Sequence, residues 1–162
     1  MLAEQQEFER IAMPHLAALL RVARRLTLDS ARAEDLVQET MLQAWRGFRG
    51  FQPGTNARAW LFRILFNVFH GEGRKAALAA RPVLFEDHIP PPQQVSAEIR
   101  EALDALPIEQ RTVLLLCVVE GFTSREAAEI LDLPIGTVMS RLSRARQELR
   151  EILKPLAKGA CK

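Results

Sequence analysis

The chain has 162 residues, of which 48% are hydrophobic and 26% charged, with no tyrosine. That is enough for one medium domain or two small ones with packed cores, and abundant Ala, Leu, Arg and Glu favour helix over sheet. Net charge is +2 but uneven: residues 1–80 carry 11 Lys+Arg against 8 Asp+Glu, residues 81–140 carry 4 against 10, and residues 141–162 carry 7 against 2. A basic end beside an acidic middle fits a nucleic-acid binder that also has a protein partner. The two cysteines, Cys117 and Cys161, exclude a disulfide scaffold, and no Cys/His spacing suggests zinc. Cys117 lies in the apolar run VLLLCVV and reads as a buried core thiol. No apolar run approaches the ~18–20 residues of a membrane span, and the acidic N-terminus is no secretory signal. No membrane insertion and a cytoplasmic location are expected.

Residues 2–26 read as helix, with Phe8, Ile11, Leu16, Leu19, Leu20 and Val22 as the apolar stripe. Pro14 breaks the stretch into a lead-in and a longer helix. His15 sits among apolar neighbours without a nucleophile or carboxylate partner, and reads as structural.

Asp29 or Ser30 starts a second helix over about 31–48. Leu36, Val37, Thr40, Met41, Ala44, Trp45 and Phe48 form its apolar side. Glu34, Asp35, Gln38 and Glu39 fall on one strip at helical spacing. The strip is either a solvated face or a dock for a basic partner. No histidine or second carboxylate helix joins it, so no catalytic residue or metal site is expected there.

Pro53-Gly54 signals a turn, and Asn56 can cap the next helix. That helix, about 57–75, is aromatic, with Trp60, Phe62, Phe66 and Phe69 interleaved with Arg58, Arg63, His70, Arg74 and Lys75. Trp60, Ile64 and Val68 fall on one face and are expected in the core. A polar loop flanked by aromatics and cations also suits single-stranded nucleic acid, where bases stack and cations hold phosphates. Residues 76–94 contain Pro82, Pro90, Pro91 and Pro92, which bars a helix interior and marks a domain boundary.

The second half predicts short helices over Val95–Ala105 and Ile108–Glu120, then two helices with a tight turn between Thr123 and Arg146. Thr123 and Glu126 form a capping box. Asp132 stands in the turn and can adopt the left-handed conformation. Pro134 opens the second helix, whose inner residues are Val138, Leu142 and Ala145. Its other face carries Ser140, Arg141, Ser143, Arg144 and Arg146. That is a helix-turn-helix whose second helix suits a DNA major groove, with small serines allowing close approach. The helix continues through Leu149, Ile152 and Leu153, and Pro155 weakens it.

LPIEQRTVLLLCVVEGFTSREAAEILDLPIGTVMSRLSRAR, from Leu106 to Arg146, resembles region 4 of bacterial sigma factors of the extracytoplasmic-function (ECF) class. AEDLVQETMLQAWRGF and AWLFRILFN resemble the region 2 elements of the same family. The resemblance implies an all-α chain of two small helical domains joined by a Pro-rich linker, the second a winged-helix-like four-helix domain. The expected division is 1–77 for region 2, 78–94 for the linker and 95–162 for region 4. It covers nearly the whole chain, in order, as the minimal sigma-factor plan.

The resemblance also implies partners: core RNA polymerase through its clamp coiled coil and flap, promoter DNA and an anti-sigma factor. The free chain is expected to be a monomer without cofactors, and not an enzyme. The implied polymerase contacts are Asp35, Leu36, Gln38 and Glu39. Those for the −10 element are Phe51, Gln52, Thr55, Asn56, Arg58, Arg63, Asn67 and Arg74, with Gly54 in the loop. Those for the −35 element are Thr137, Met139, Ser140, Arg141, Ser143 and Arg144. Met139 stands where many relatives carry a cation, and offers apolar contact to a thymine methyl instead. Glu86 and Asp87 suit a linker that follows the RNA exit path. A sigma-like decoy that sequesters an anti-sigma factor is the alternative, and a stand-alone repressor a third.

Overall fold

Pro14 shapes the first half of the chain. In the computed structural model, which describes residues 1–71 and 96–160 (side chains through Pro155), α1 (Leu2–Ala12) ends in a 3-10 turn, Met13–His15, that holds the proline near its start. There its missing N–H leaves no interior hydrogen bond unmade. α2 (Leu16–Thr27) follows and stops at Leu28, a left-handed residue with φ 56°. Asp29 then caps α3 (Ser30–Gly47), its carboxylate accepting from the Arg32 amide at 3.1 Å. A second 3-10 turn, Phe48–Gly50, leads to a loop and to α4 (Ala57–Gly71).

The described residues divide into two compact units, the first holding α1–α4. α3 packs against both α2 and α4. Leu19, Val22, Leu36, Leu61, Phe62 and Leu65 are fully buried in this core. Thr40 is buried too, and its hydroxyl donates back to the Leu36 carbonyl at 2.7 Å. On α4 the expected core face is displaced. The buried stripe is Leu61, Phe62, Leu65 and Phe66, with Val68, while Trp60 and Ile64 are only half-buried. Both sets have helical spacing. Leu61, Phe62, Leu65 and Phe66 together bring more apolar area to the inner side than Trp60 and Ile64, which favours this rotation of the helix.

The second unit holds α5 (Ala97–Asp104), α6 (Ile108–Leu114), α7 (Ser124–Leu131) and α8 (Ile135–Ala160). Ser96 caps α5 through an amide contact from Ile99 at 3.4 Å. α8 is the spine, with α5, α6 and α7 packed on it. Arg111 is buried on α6, and its guanidinium donates to the carbonyls of Leu103, Asp104 and Leu106 at 3.1, 3.0 and 2.9 Å. It thereby occupies acceptors at the end of α5 that a helix leaves unpaired.

The expected helix over Ile108–Glu120 is continuous but changes pitch. Leu115–Val119 forms a π turn, with the Glu120 amide bonded to the Leu115 carbonyl at 2.9 Å. The wider turn shifts the phase of the side chains. Leu114–Leu116 stay buried, whereas Val118 and Val119 face outward and Cys117 is half-buried. Cys117 is therefore a boundary thiol, not a core one, and burial still pushes its pKa up, against a weaker opposing effect of Arg146. Pro155 lies within α8, which continues to Ala160. Among the described residues no helix is long and apolar enough to cross a membrane. Residues 76–94, including Glu86 and Asp87, together with Arg74 and Cys161, lie outside the described residues.

Candidate polymerase and nucleic-acid interfaces

On α3 the acidic strip begins at the exposed Glu34 and Asp35 and continues through the half-buried Gln38 and Glu39. Glu39 accepts from the Gln43 side-chain amide at 2.9 Å, one turn on. Leu36 does not share the strip. It is fully buried, so its side chain positions the helix from within and cannot itself meet a partner. The same outer face carries exposed Leu42 and Trp45, the latter expected on the inner side from its spacing. With Phe8, Met13, Gln38 and Met41 they line a shallow groove between α1 and α3.

The loop before α4 is built from its own residues. Thr55 returns its amide and hydroxyl to the Gln52 carbonyl at 3.2 and 2.7 Å. Pro53 and Gly54 occupy the two central turn positions, and Gly54 has φ +87°, the type II pattern that needs glycine there. Asn56 caps α4, its side-chain oxygen accepting from the Ala59 amide at 3.0 Å. One edge of the loop is fixed by a chain of ring contacts, edge-on, stacked and tilted. Phe8 meets Trp45 and Phe48, Phe48 meets Phe51 at 6.1 Å, and Phe51 meets Trp60 at 4.7 Å. Gln52, Thr55 and Asn56 remain exposed on this support.

Arg63 and Asn67 are exposed one turn apart on α4, and form a row with His70. Arg58 does not join that row. Its guanidinium lies 5.7 Å from the Phe62 ring centroid, toward the packed side. It also neighbours His15, whose pKa is lowered first by burial and then by that cation. Arg58 thus belongs to the packing at the start of α4, where a cation over an aromatic face is favourable.

In the helix-turn-helix, Thr123 accepts from the Glu126 amide at 3.1 Å, and Glu126 accepts from the Thr123 amide at 2.8 Å. Asp132 closes α7 in the left-handed region, φ 52°. Pro134 stands just before α8, not inside its first turn, and its carbonyl accepts from the amides of Thr137 and Val138 at 3.0 and 3.2 Å. Val138, Leu142 and Ala145 bury one face of α8. Opposite them Gly136, Met139, Ser140, Ser143 and Arg144 are exposed, with Thr137 and Arg141 half-buried at one edge. The six residues named from the sequence thus share the outer side of one helix. Ile135, exposed beside them, was not among the six. As an apolar residue directly after a proline, it carries no sequence signal that separates a core position from an exposed one.

Residues 11–77 match the sigma-70 region 2 family, and residues 96–149 match sigma-70 region 4. The ECF RNA polymerase sigma factor EcfG of Rhodopseudomonas palustris is 39% identical over 149 residues, covering 88% of this chain and 81% of that protein. The chain belongs to the ECF sigma factors. The ECF sigma factor SigE of Mycolicibacterium smegmatis is 34% identical and matches 93% of this chain, which spans 63% of that protein's length. Among solved structures, the sigma factor RpoE of Bartonella quintana, crystallised with the anti-sigma factor NepR, is similar with a TM-score of 0.75 and 34% identity, covering 92% of this chain and 98% of that one. Within this ECF sigma factor the region 2 match contains the α3 strip and the loop before α4. The region 4 match contains α5–α7 and the exposed face of α8 from Gly136 to Arg144. Sequence alone did not signal Leu42 or the π turn, because both depend on which side of a helix the neighbours cover.

Proposed function

We propose that the chain binds core RNA polymerase and directs it to promoters carrying paired −35 and −10 elements. The observation that carries this reading is the order of the two sigma-70 matches in one chain, each on a unit with its own exposed polar face. Asp35, Gln38 and Glu39 offer negative charge and acceptors to the cationic coiled coil of the polymerase clamp. The second unit sits on the flap. α8 enters the major groove of the −35 duplex, with Arg141 and Arg144 reaching guanine edges or phosphates and the serines allowing close approach. Gln52, Thr55 and Asn56 receive a base of the −10 element as it leaves the duplex, while Arg63 and Asn67 hold the strand. A preformed loop suits this task, since stacking lost by the flipped base must be repaid at once.

The chain itself performs no covalent step in this scheme. Its contribution is differential binding: duplex at one element, single strand at the other. An anti-sigma factor that covers the α3 strip would hold it inactive. The rigid aromatic support under the loop and the exposed reading face favour this function over an anti-sigma decoy, which needs neither. Run-off transcription on a promoter library, with purified core polymerase with and without the chain, tests it. Discrete new start sites sharing two spaced motifs are expected. Tight core binding without initiation would refute promoter selection.

A further inference from the structure

We infer that Ile135 and Met139 form an apolar edge that reads a thymine methyl group in the −35 duplex. This rests on the proposed −35 role of α8 and adds the base identity that one edge of the helix selects. At about 100° per residue, the exposed side of α8 sorts into three strips. Gly136, Ser140 and Ser143 form the centre, all small and exposed. Thr137, Arg141 and Arg144 lie on one flank. Ile135 and Met139 lie on the other, one turn apart, with relative exposures of 46% and 57%.

The small centre lets the helix axis come close to base edges, so both flanks are carried into the groove together. The cationic flank matches guanine acceptors or phosphates. Ile135 and Met139 carry no side-chain hydrogen-bonding group and can match neither; Arg146, exposed on the same flank, lies about 10 Å further along the helix. In the major groove the C5-methyl of thymine is the apolar feature that distinguishes base pairs. A flexible thioether beside a branched aliphatic group can close over it and exclude water. In the same turns of α8 Val138, Leu142 and Ala145 are buried, so the core leaves Ile135 and Met139 exposed at the end of the helix that leads into the groove.

The test uses holoenzyme reconstituted from the full chain and core polymerase. A −35 duplex is first selected from random sequence, and each thymine in it is then replaced by deoxyuridine, which lacks only the methyl. One position is expected to weaken binding roughly fourfold on replacement, the effect of losing one methyl from a dry contact. Met139→Ala should bind thymine and deoxyuridine duplexes equally, Ile135→Ala should narrow the difference, and Arg144→Ala should leave it intact. Both apolar positions are exposed, and unchanged circular dichroism would show that the variants fold. No sensitivity at any thymine, a selected element without A·T pairs, or full sensitivity in Met139→Ala would each overturn the inference while leaving −35 reading in place. Failure to select any −35 duplex would overturn both.

Discussion

Phe51 and Trp60 meet with ring centroids 4.7 Å apart, and this contact closes the exposed turn against the start of α4. Aromatic pairs with centroids roughly 4.5–7 Å apart contribute about 0.5–1.5 kcal/mol beyond burial. Phe51→Ala should therefore loosen the loop without unfolding the unit. The expected result is impaired promoter opening, read by permanganate reactivity of unpaired thymines, with −35 duplex binding unchanged. Equal loss of both would mean that the ring supports the whole unit and not the loop.

Charge reversal separates the strip from the core beneath it. Asp35→Lys should weaken binding to core polymerase by at least tenfold at low salt and leave the thermal midpoint nearly unchanged, since Asp35 is exposed. Leu36→Ala should instead lower stability by about 2–5 kcal/mol, as for a fully buried leucine. Titrating each variant against core polymerase, alongside urea unfolding, distinguishes the two effects.

Arg144→Ala should cost about 1–3 kcal/mol in −35 binding, the range for one good base-edge contact. The loss should fall on promoters that depend on a −35 element. Uniform loss across promoters, with a reduced salt slope, would assign Arg144 to phosphate.

His15 gives the first unit a pH dependence. Burial and the Arg58 charge hold its folded pKa below the ordinary 6.5. As pH falls through 6.5, the unfolded chain takes up the proton first, so stability is full above that value and declines below it until the folded imidazole also titrates. His15→Gln should flatten this decline. Both tryptophans, Trp45 and Trp60, lie in the first unit, so their fluorescence follows that unit alone during urea unfolding at each pH.

Asp132 holds φ 52° between the two helices of the motif. Asp132→Val should destabilise the second unit by about 1–2 kcal/mol, whereas Asp132→Gly should be neutral or stabilising. Circular-dichroism melts of the full chain would show the difference.

Local chemistry was legible in the sequence, and handedness of burial was not. The Asp29, Asn56 and Thr123 caps, the Pro53-Gly54 turn and the left-handed Asp132 each follow from a few adjacent residues. The inner face of the recognition helix was also readable, because Val138, Leu142 and Ala145 alternate with polar residues. α4 offers apolar residues on nearly every side, so spacing alone did not choose between Trp60 and Phe62. The run from Leu114 to Val119 reads as uniform core, and only the extra residue in its final turn reveals that half of it faces out. Leu36 shows the same ambiguity at the candidate site: adjacency in a motif is not adjacency on a surface.

Arg111 ties three carbonyls of the preceding segment to α6. α5 has eight residues, too few to persist alone in water. Its closing end is completed by a side chain from the next helix, so the two cannot unzip one at a time. Their amides should exchange with solvent as one cooperative block, slower than the length of α5 alone would allow. Lysine at position 111 could satisfy the charge but not the fork of donors, and would let the N-terminal part of the unit breathe independently.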